Sequence, residues 1–554
     1  MRSVSLALSY RATTEGSLEN RFWERCASIA DATCVSKIIV LCHRTMPRIP
    51  ATAKGLRDVV CVEVDSWFST GAMERLLEAS DGDFLLGIPW NGELEIEPRA
   101  IGNLIETMET TGAGIVYSDF RIARGNECSE ITSIDYQLGS IRESFDFGPL
   151  LAFSGEAVKR TLEKHGKIDA SLRWSALYDL RLKLSIDFPV ARIPEPIYTI
   201  RMPIARPVAG EESNFVRDFD LVDLSNRDYQ VELEAIVTSH LKRIGAYLEP
   251  VFRPLPPPEG PFPVAASVII PVRNREKTIA QAVQSAINQR SSFAYNVIVI
   301  NDYSSDKTGE IVRQLAAQRP NIVQLLPERR DLGIGGLWNE AIYSKECGMF
   351  AVQLDSDDVF SHEQALEKII RKFWDAPLAE SALAIDPPPH YAMVTGSFGH
   401  VNFNLEPIPP GVFLHHEFSE ANGRNNALRM NGLGAPRAFY VPVLRRFGLP
   451  NVSYGEDYAI CLRIGREFAV GRIFEPLYLA RQWEGNTSRS MPLGSVKSVN
   501  LKDLLPPGLG ERPDILARLQ PLLRTLMMTS KNRYDSYKDW LRSVEIEARQ
   551  QLNS

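Results

Sequence analysis

Asp355, Asp357 and Asp358 close an apolar run, Met349–Phe360 (MFAVQLDSDDVF), and three carboxylates so near one another need a reason. Like charges at close range repel, and one left buried and unpaired is costly. A hard divalent cation removes the conflict, because Mg²⁺ and Mn²⁺ prefer carboxylate oxygens and bridge them to a diphosphate. The plain alternative is a solvated Asp-rich turn after a strand. The surrounding sequence has to decide between them.

The carboxylates need a strand beneath them, and the chain supplies many. Before residue 205, strand-like runs at Ser3–Ser9, Lys37–Cys42, Val59–Val64, Asp83–Ile88 and Gly114–Tyr117 alternate with helical spacing at Glu19–Ile29, Thr70–Ala79 and Ala176–Leu184. Such alternation implies an α/β fold with a mostly parallel, Rossmann-like sheet. Asp228–Leu248 reads as a helix, and Pro254–Pro263 (PLPPPEGPFP) as a stiff linker. The pattern then restarts, with strands at Ser267–Pro271, Asn296–Asn301, Ile322–Leu326 and Phe350–Leu354 and helices between them. We expect a first domain over 1–205, a helical and Pro-rich linker over 206–263, a second domain over 264–498 and a C-terminal helical extension over 499–554.

The two halves also resemble each other, and a repeat fixes architecture. Ala191–Arg201 reads ARIPEPIYTIR and Gly471–Arg481 reads GRIFEPLYLAR. Asp179 precedes the first and Asp457 the second, which suggests equivalent positions. Asp83–Leu94 stands where Phe350–Val359 stands, so Pro89, Asn91 and Gly92 replace Asp355, Asp357 and Asp358. The first copy therefore lacks the carboxylate cluster and is expected to be degenerate.

Composition narrows the partners. The 554 residues carry a net charge of −7, which gives no reason to expect nucleic acid. Seven cysteines lie scattered without a CxxC pair, which argues against a disulfide framework or zinc and for a reducing, cytoplasmic setting. No apolar run approaches the roughly 20 residues that span a bilayer. The N-terminus is too soon interrupted for a signal peptide. The expectation is a protein without a transmembrane segment, with peripheral membrane contact by the basic amphipathic tail left open.

In the second half, five motifs stand in order: SVIIPVRNREKTI, VIVINDYSSDKT, DLGIGGLWNEAI, QLDSDD and YGEDYAICLRI. Together they resemble family 2 glycosyltransferases of the GT-A fold, over roughly Ala265–Arg489. The resemblance implies an inverting transfer of a sugar from a nucleotide diphosphate sugar, with a UDP-sugar as first candidate, to an acceptor hydroxyl. It implies a Mn²⁺ or Mg²⁺ cofactor on Asp357 and Asp355. Asp457 would be the general base, with Glu456 beside it tuning it or binding the acceptor. Pro271, Arg273, Asn274, Asp302, Asp331, Asp355 and Ser356 would bind the nucleotide sugar. Arg481 and Trp483 are candidates for the acceptor, which is a glycan, lipid, peptide or small molecule. His415 and His416 are candidates for a further metal or phosphate contact. Tyr303 and Trp338 depart from the family, which usually has Gly and Lys or Arg there. The competing readings are a nucleotidyltransferase and a non-catalytic sugar-binding or scaffold protein.

Overall fold

The computed structural model describes residues 3–11, 22–24, 26, 35–43, 58–88, 93–136, 139–143, 145, 147–202, 227–374, 389–415, 418–429, 433–453 and 455–486. The expected replacement of the carboxylates at Pro89–Gly92 lies outside these residues, as do His416 and the C-terminal extension. Over the described residues the chain divides into two compact units, one ending at Ala246 and the other starting at Tyr247.

The first unit is built on nine strands: β1 (Val4–Arg11), β2 (Val35–His43), β3 (Val59–Val64), β4 (Phe84–Ile88), β5 (Glu93–Ile96), β6 (Ile115–Arg124), β7 (Glu127–Ile131), β8 (Leu151–Ser154) and β9 (Val190–Met202). The second has β10 (Ala266–Val272), β11 (Tyr295–Asn301), β12 (Ile322–Leu325), β13 (Phe350–Gln353), β14 (Val359–Phe360), β15 (Met393–Val401), β16 (Pro407–Phe413), β17 (Arg437–Tyr440) and β18 (Val470–Arg481). The first sheet runs β3-β2-β1-β4-β8-β6-β9-β5, with β7 paired to β6. The second runs β12-β11-β10-β13-β17-β15-β18-β14, with β16 paired to β15. Strand for strand the two orders are the same, so the fold is an α/β tandem of two sheets of one topology.

In each unit the first four strands of that order are parallel and carry the apolar runs seen in the sequence. Such strands are covered on both faces and read as continuous hydrophobic stretches. The rest of each sheet is mixed. β8 and β17 enter antiparallel beside β4 and β13. They are four residues long, too short to show a period of their own.

Both sheets bury apolar cores. Val268, Ile269, Val297, Ile298, Phe350 and Val352 are fully buried in the second, and Leu6, Val40, Leu104 and Val116 in the first. The helix Arg227–Arg243 belongs to the first unit: Glu232 accepts from Arg173 N (2.8 Å), Trp174 N (3.2 Å) and Ser175 Oγ (2.7 Å). The Pro-rich segment lies on the second unit, where Tyr440 Oη donates to the Pro256 carbonyl at 3.0 Å.

Candidate active site

β10 pairs with β11 on one side and β13 on the other, all parallel. Their carboxyl ends therefore open on one edge, at the point where the strand order reverses, and open α/β sheets bind ligands in such a crevice. Arg273 and Asn274 follow β10, Asp302 follows β11, and Asp355 follows β13 with Leu354 between. Pro271 lies in β10 itself, half-buried.

At the β10–β11 corner, Asp302 is buried and Arg273 Nη1 reaches its Oδ2 at 3.1 Å. Asn274 takes a left-handed conformation (φ +52°). That lets its N–H donate to Ser304 Oγ at 3.0 Å and its Oδ1 accept from Ser305 N at 2.8 Å. Tyr303 is also left-handed (φ +47°), where glycine would cost nothing. Its hydroxyl donates to the Pro327 carbonyl at 2.7 Å, and the Arg330 guanidinium stacks on its ring at 3.9 Å. Asp331 is exposed and paired with Arg329, with Nε 2.9 Å from its Oδ1. Trp338 is a core residue, edge-on to Phe439 at 5.9 Å.

The loop after β13 is tied down on three sides. The Asp355 N–H donates to Tyr478 Oη at 3.0 Å, and the Ser356 carbonyl accepts from Thr278 Oγ1 at 3.0 Å. β14 then pairs antiparallel with β18, Val359 facing Leu479 and Phe360 facing Tyr478. Asp358 accepts the Arg481 N–H at 2.7 Å. Burial, reinforced by the charges of Asp355 and Asp357, pushes its carboxyl well above the usual range. Asp358 thus fastens the loop to β18. Asp355 is likewise raised, by burial first, against a hydrogen bond from Gln353 Nε2 at 3.0 Å. Asp357 is mostly covered, with Trp483 Nε1 3.0 Å from its Oδ2 and Arg275 Nε at 3.7 Å.

Among the described residues no three His, Cys, Asp or Glu side chains converge as a metal cage. Asp355 and Asp357 still suit a hard cation, because Mg²⁺-type sites use one or two carboxylates and complete their shell with water and substrate phosphate oxygens.

The third wall is the helix Glu456–Glu467. Gly335 lets the helix Ile334–Tyr343 lie close beneath it: a Cβ there would meet the Pro450 carbonyl at 1.9 Å and Glu456 Cβ at 3.1 Å. Asp457 is one-third exposed. Its Oδ1 accepts the Tyr458 N–H at 2.7 Å, and its Oδ2 lies 2.8 Å from Arg437 Nη2. Glu456 points into the protein. Burial, then the charge of Asp457, drives its carboxyl well above the usual range. Arg437 feels both, and Asp355 as well.

Three contributors escaped the sequence reading: Arg437, Arg275 and Tyr478. Arg275 stands in the first of the five motifs and Tyr478 in the repeated strand, but their partners, Asp357 and Asp355, lie 82 residues further along and 123 residues back; Arg437 sits in no motif. Arg481 is buried, with Nη2 on Gln281 Oε1 at 2.6 Å and its guanidinium 5.3 Å from the Phe403 ring. Trp483 packs on Phe403 at 5.4 Å besides holding Asp357. His415 lies among Phe398 and Phe413 rather than beside the carboxylates.

The first unit corrects one expectation. β9 and β18 align at an offset of 280 residues, Val190 with Val470 and Arg192 with Arg472. The preceding helices, Ala176–Asp187 and Glu456–Glu467, have twelve residues each, and the Phe188 and Phe468 that end them keep the same offset. Ala176 therefore matches Glu456, and Leu177 matches Asp457. Asp179 is two residues off, on another face of the helix, and is bound to Lys183 Nζ at 2.7 Å in a buried pair.

Residues 267–399 match the family described as "Glycosyl transferase family 2". A dolichyl-phosphate beta-glucosyltransferase of Trichomonas vaginalis is 26% identical over 174 residues, which are 29% of this chain and 48% of that protein. A chondroitin synthase of Pasteurella multocida is 27% identical over 156 residues, 27% of this chain and 15% of that protein. The chain thus covers less than half of either relative. Among solved structures, S. aureus TarS 1-349 in complex with UDP-GlcNAc has 18% identity and a TM-score of 0.34, covering 52% of this chain and 92% of that one. The mannosyltransferase PcManGT from Pyrobaculum calidifontis, in complex with GDP-Man and Mn²⁺, has 14% identity and a TM-score of 0.32, covering 57% and 83%.

Proposed function

Residues 267–399 belong to glycosyl transferase family 2, and from that premise we propose that the second unit is an inverting, metal-dependent transferase. It moves a sugar from a nucleoside diphosphate sugar, UDP-linked in the first instance, to an acceptor hydroxyl. One observation carries the reading. Arg437, one residue before the Ala438 that faces Val352 of β13, holds Asp457 at 2.8 Å, which brings the base position beside the end of the strand that leads into Asp355 and Asp357.

The roles follow from place. Asp302, buried at the end of β11, accepts the imide N–H of the base, with Arg273 holding its other side. Asp357 and Asp355 are the residues that would hold Mn²⁺ or Mg²⁺, which would supply Lewis-acid stabilisation of the diphosphate leaving group. Asp457 takes the proton of the acceptor hydroxyl, and its partial exposure leaves room for that acceptor. Holding both reactants in line supplies much of the rate by removing translational and rotational freedom. Trp483 donates to Asp357 at 3.0 Å and is the residue beside that carboxylate on which an acceptor sugar could stack.

No helix among the described residues is long and apolar enough to cross a membrane. The free thiols Cys26, Cys42, Cys61, Cys128, Cys347 and Cys461 accord with a cytoplasmic setting. The test of the metal assignment is titration calorimetry with UDP and Mn²⁺. Asp357→Ala is expected to abolish the Mn²⁺-dependent part of UDP binding while the protein stays folded. Unchanged affinity in the variant would sink the assignment.

A further inference from the structure

Arg437 opens β17 with its side chain 12% exposed and set among acidic groups. Its Nη1 donates to two carbonyls, Leu433 at 3.1 Å and Gly434 at 2.6 Å, and its Nη2 to Asp457 at 2.8 Å. The fork is therefore held at both ends. Around it stand Asp457, Glu456 and Cys461 on one helix and Asp355 on the loop after β13. With Tyr458 N–H on its other oxygen, the Asp457 carboxylate has one orientation.

The chain carries its own comparison. β8 opposes β4 as β17 opposes β13, with Ala152 facing Leu86 and Ala438 facing Val352. One residue earlier on each, Leu151 takes the place of Arg437. Leu177 takes the place of Asp457. In the unit with leucine at the place of Asp457 the arginine is absent too.

On the transferase reading above, we propose that Arg437 is the positioning residue of this site. It aims the Asp457 carboxylate at the acceptor hydroxyl. It also supplies the fixed positive charge that lets Asp355, Glu456 and Asp457 share one pocket. Arginine suits the task because it does not release its proton and its planar fork holds two partners at once. It accepts no proton from the acceptor and touches the reaction only through Asp457.

The experiment combines kinetics with metal binding on the full chain. Arg437→Gln is expected to lower kcat for transfer by about 10- to 100-fold, part of what a general base contributes, while donor KM stays within roughly threefold. Arg437→Lys should recover part of the loss, since it restores charge without the fork. In an Asp457→Asn background, Arg437→Gln should cost no more than about twofold, because residues acting as a unit are not additive. A full, additive loss in the double variant overturns the positioning role. If Arg437→Gln does not fold, Arg437→Lys carries the same double-variant comparison.

The second readout needs no turnover. Removing the positive charge facing Asp355 should tighten Mn²⁺ binding, followed by electron paramagnetic resonance with UDP present, by roughly 3- to 10-fold. Unchanged or weaker binding overturns the charge-balancing role. If the wild-type chain transfers no sugar from any nucleotide sugar, the transferase reading falls, and the Mn²⁺ titration still judges the arginine.

Discussion

The two units share one strand order and differ in what fills the pocket at its reversal point. In the second unit Arg437 stands there beside the end of β13, 2.8 Å from Asp457, and carries the one fixed positive charge that Asp355, Glu456 and Asp457 act on. In the first, Leu151, Ala176 and Leu177 stand at the places of Arg437, Glu456 and Asp457. Leu151 and Leu177, with Gly87, Trp67, Met73 and Phe153, line a cavity of about 60 Å³. A site of opposed charges has become an apolar one on an unchanged sheet. The fold is set by the apolar strands, which both copies keep, while the chemistry hangs on a few side chains at strand and helix ends. Those can be exchanged together at little cost to the core. Sheet and site are thus separable, and each can be attacked alone.

The largest effect belongs to the second unit. Asp457→Asn removes proton acceptance at nearly constant shape. Transfer should fall by about 10² to 10⁴, while UDP binding with Mn²⁺ is kept. A variant with near-normal turnover on the true acceptor would remove Asp457 from the mechanism and, with it, the contrast with Leu177.

The matching change in the first unit should act on stability alone. Asp179 and Lys183 form a buried pair at 2.7 Å, with side-chain exposures of 6% and 4%. Asp179→Ala leaves the lysine buried without its counter-charge, although the Lys167 carbonyl still accepts from it at 2.6 Å. Breaking such a pair commonly costs about 3–5 kcal/mol. Chemical denaturation should show that loss in the first unit's transition, with turnover per folded molecule unchanged. Lost turnover at full folding would mean that the first unit takes part in chemistry.

Much of this was legible in the sequence, and the reasons are local. Runs such as Ser267–Pro271 and Asn296–Asn301 are parallel strands, buried at every position but Pro271, and their continuous apolar character cannot be mistaken for a surface segment. Asp302 and Asp355 were visible because they end such strands. The repeat was visible because β9 and β18 keep Glu-Pro-(Ile/Leu)-Tyr-x-x-Arg. Two kinds of information were missing. Arg437 meets Asp457 through a four-residue antiparallel strand that carries no pattern of its own. The helical register was also hidden: Asp179 looked like the partner of Asp457 because both are acids ahead of a matched strand. A shift of two residues on a helix turns a side chain by about 200°, and only the strand register shows that Leu177 holds the place.

The smallest effect concerns Glu456, and its sign can be worked out. Its Oε2 is buried without a hydrogen-bond partner among the described residues, and burial with the Asp457 charge raises its carboxyl well above the usual range. Below the unfolded-state pKa, near 4.3 for a glutamate, the group is protonated in both states and costs nothing. As pH rises past that value the unfolded chain ionises first, so stability drains away until the folded-state value is reached. Glu456→Gln keeps the shape and never ionises. It should therefore stabilise the second unit at neutral pH, and the gain should shrink toward zero as pH falls to about 4. Arg437 sets the limit of the gain, because its charge offsets part of the glutamate's penalty. In the first unit Ala176 holds this place, so nothing comparable should be found there. Urea denaturation of wild type and variant at a series of pH values measures the difference. A Glu456→Gln protein less stable at neutral pH than at pH 4, relative to wild type, would mean that Glu456 is ionised and useful to the fold. The pocket would then hold one more paired charge than its geometry supports.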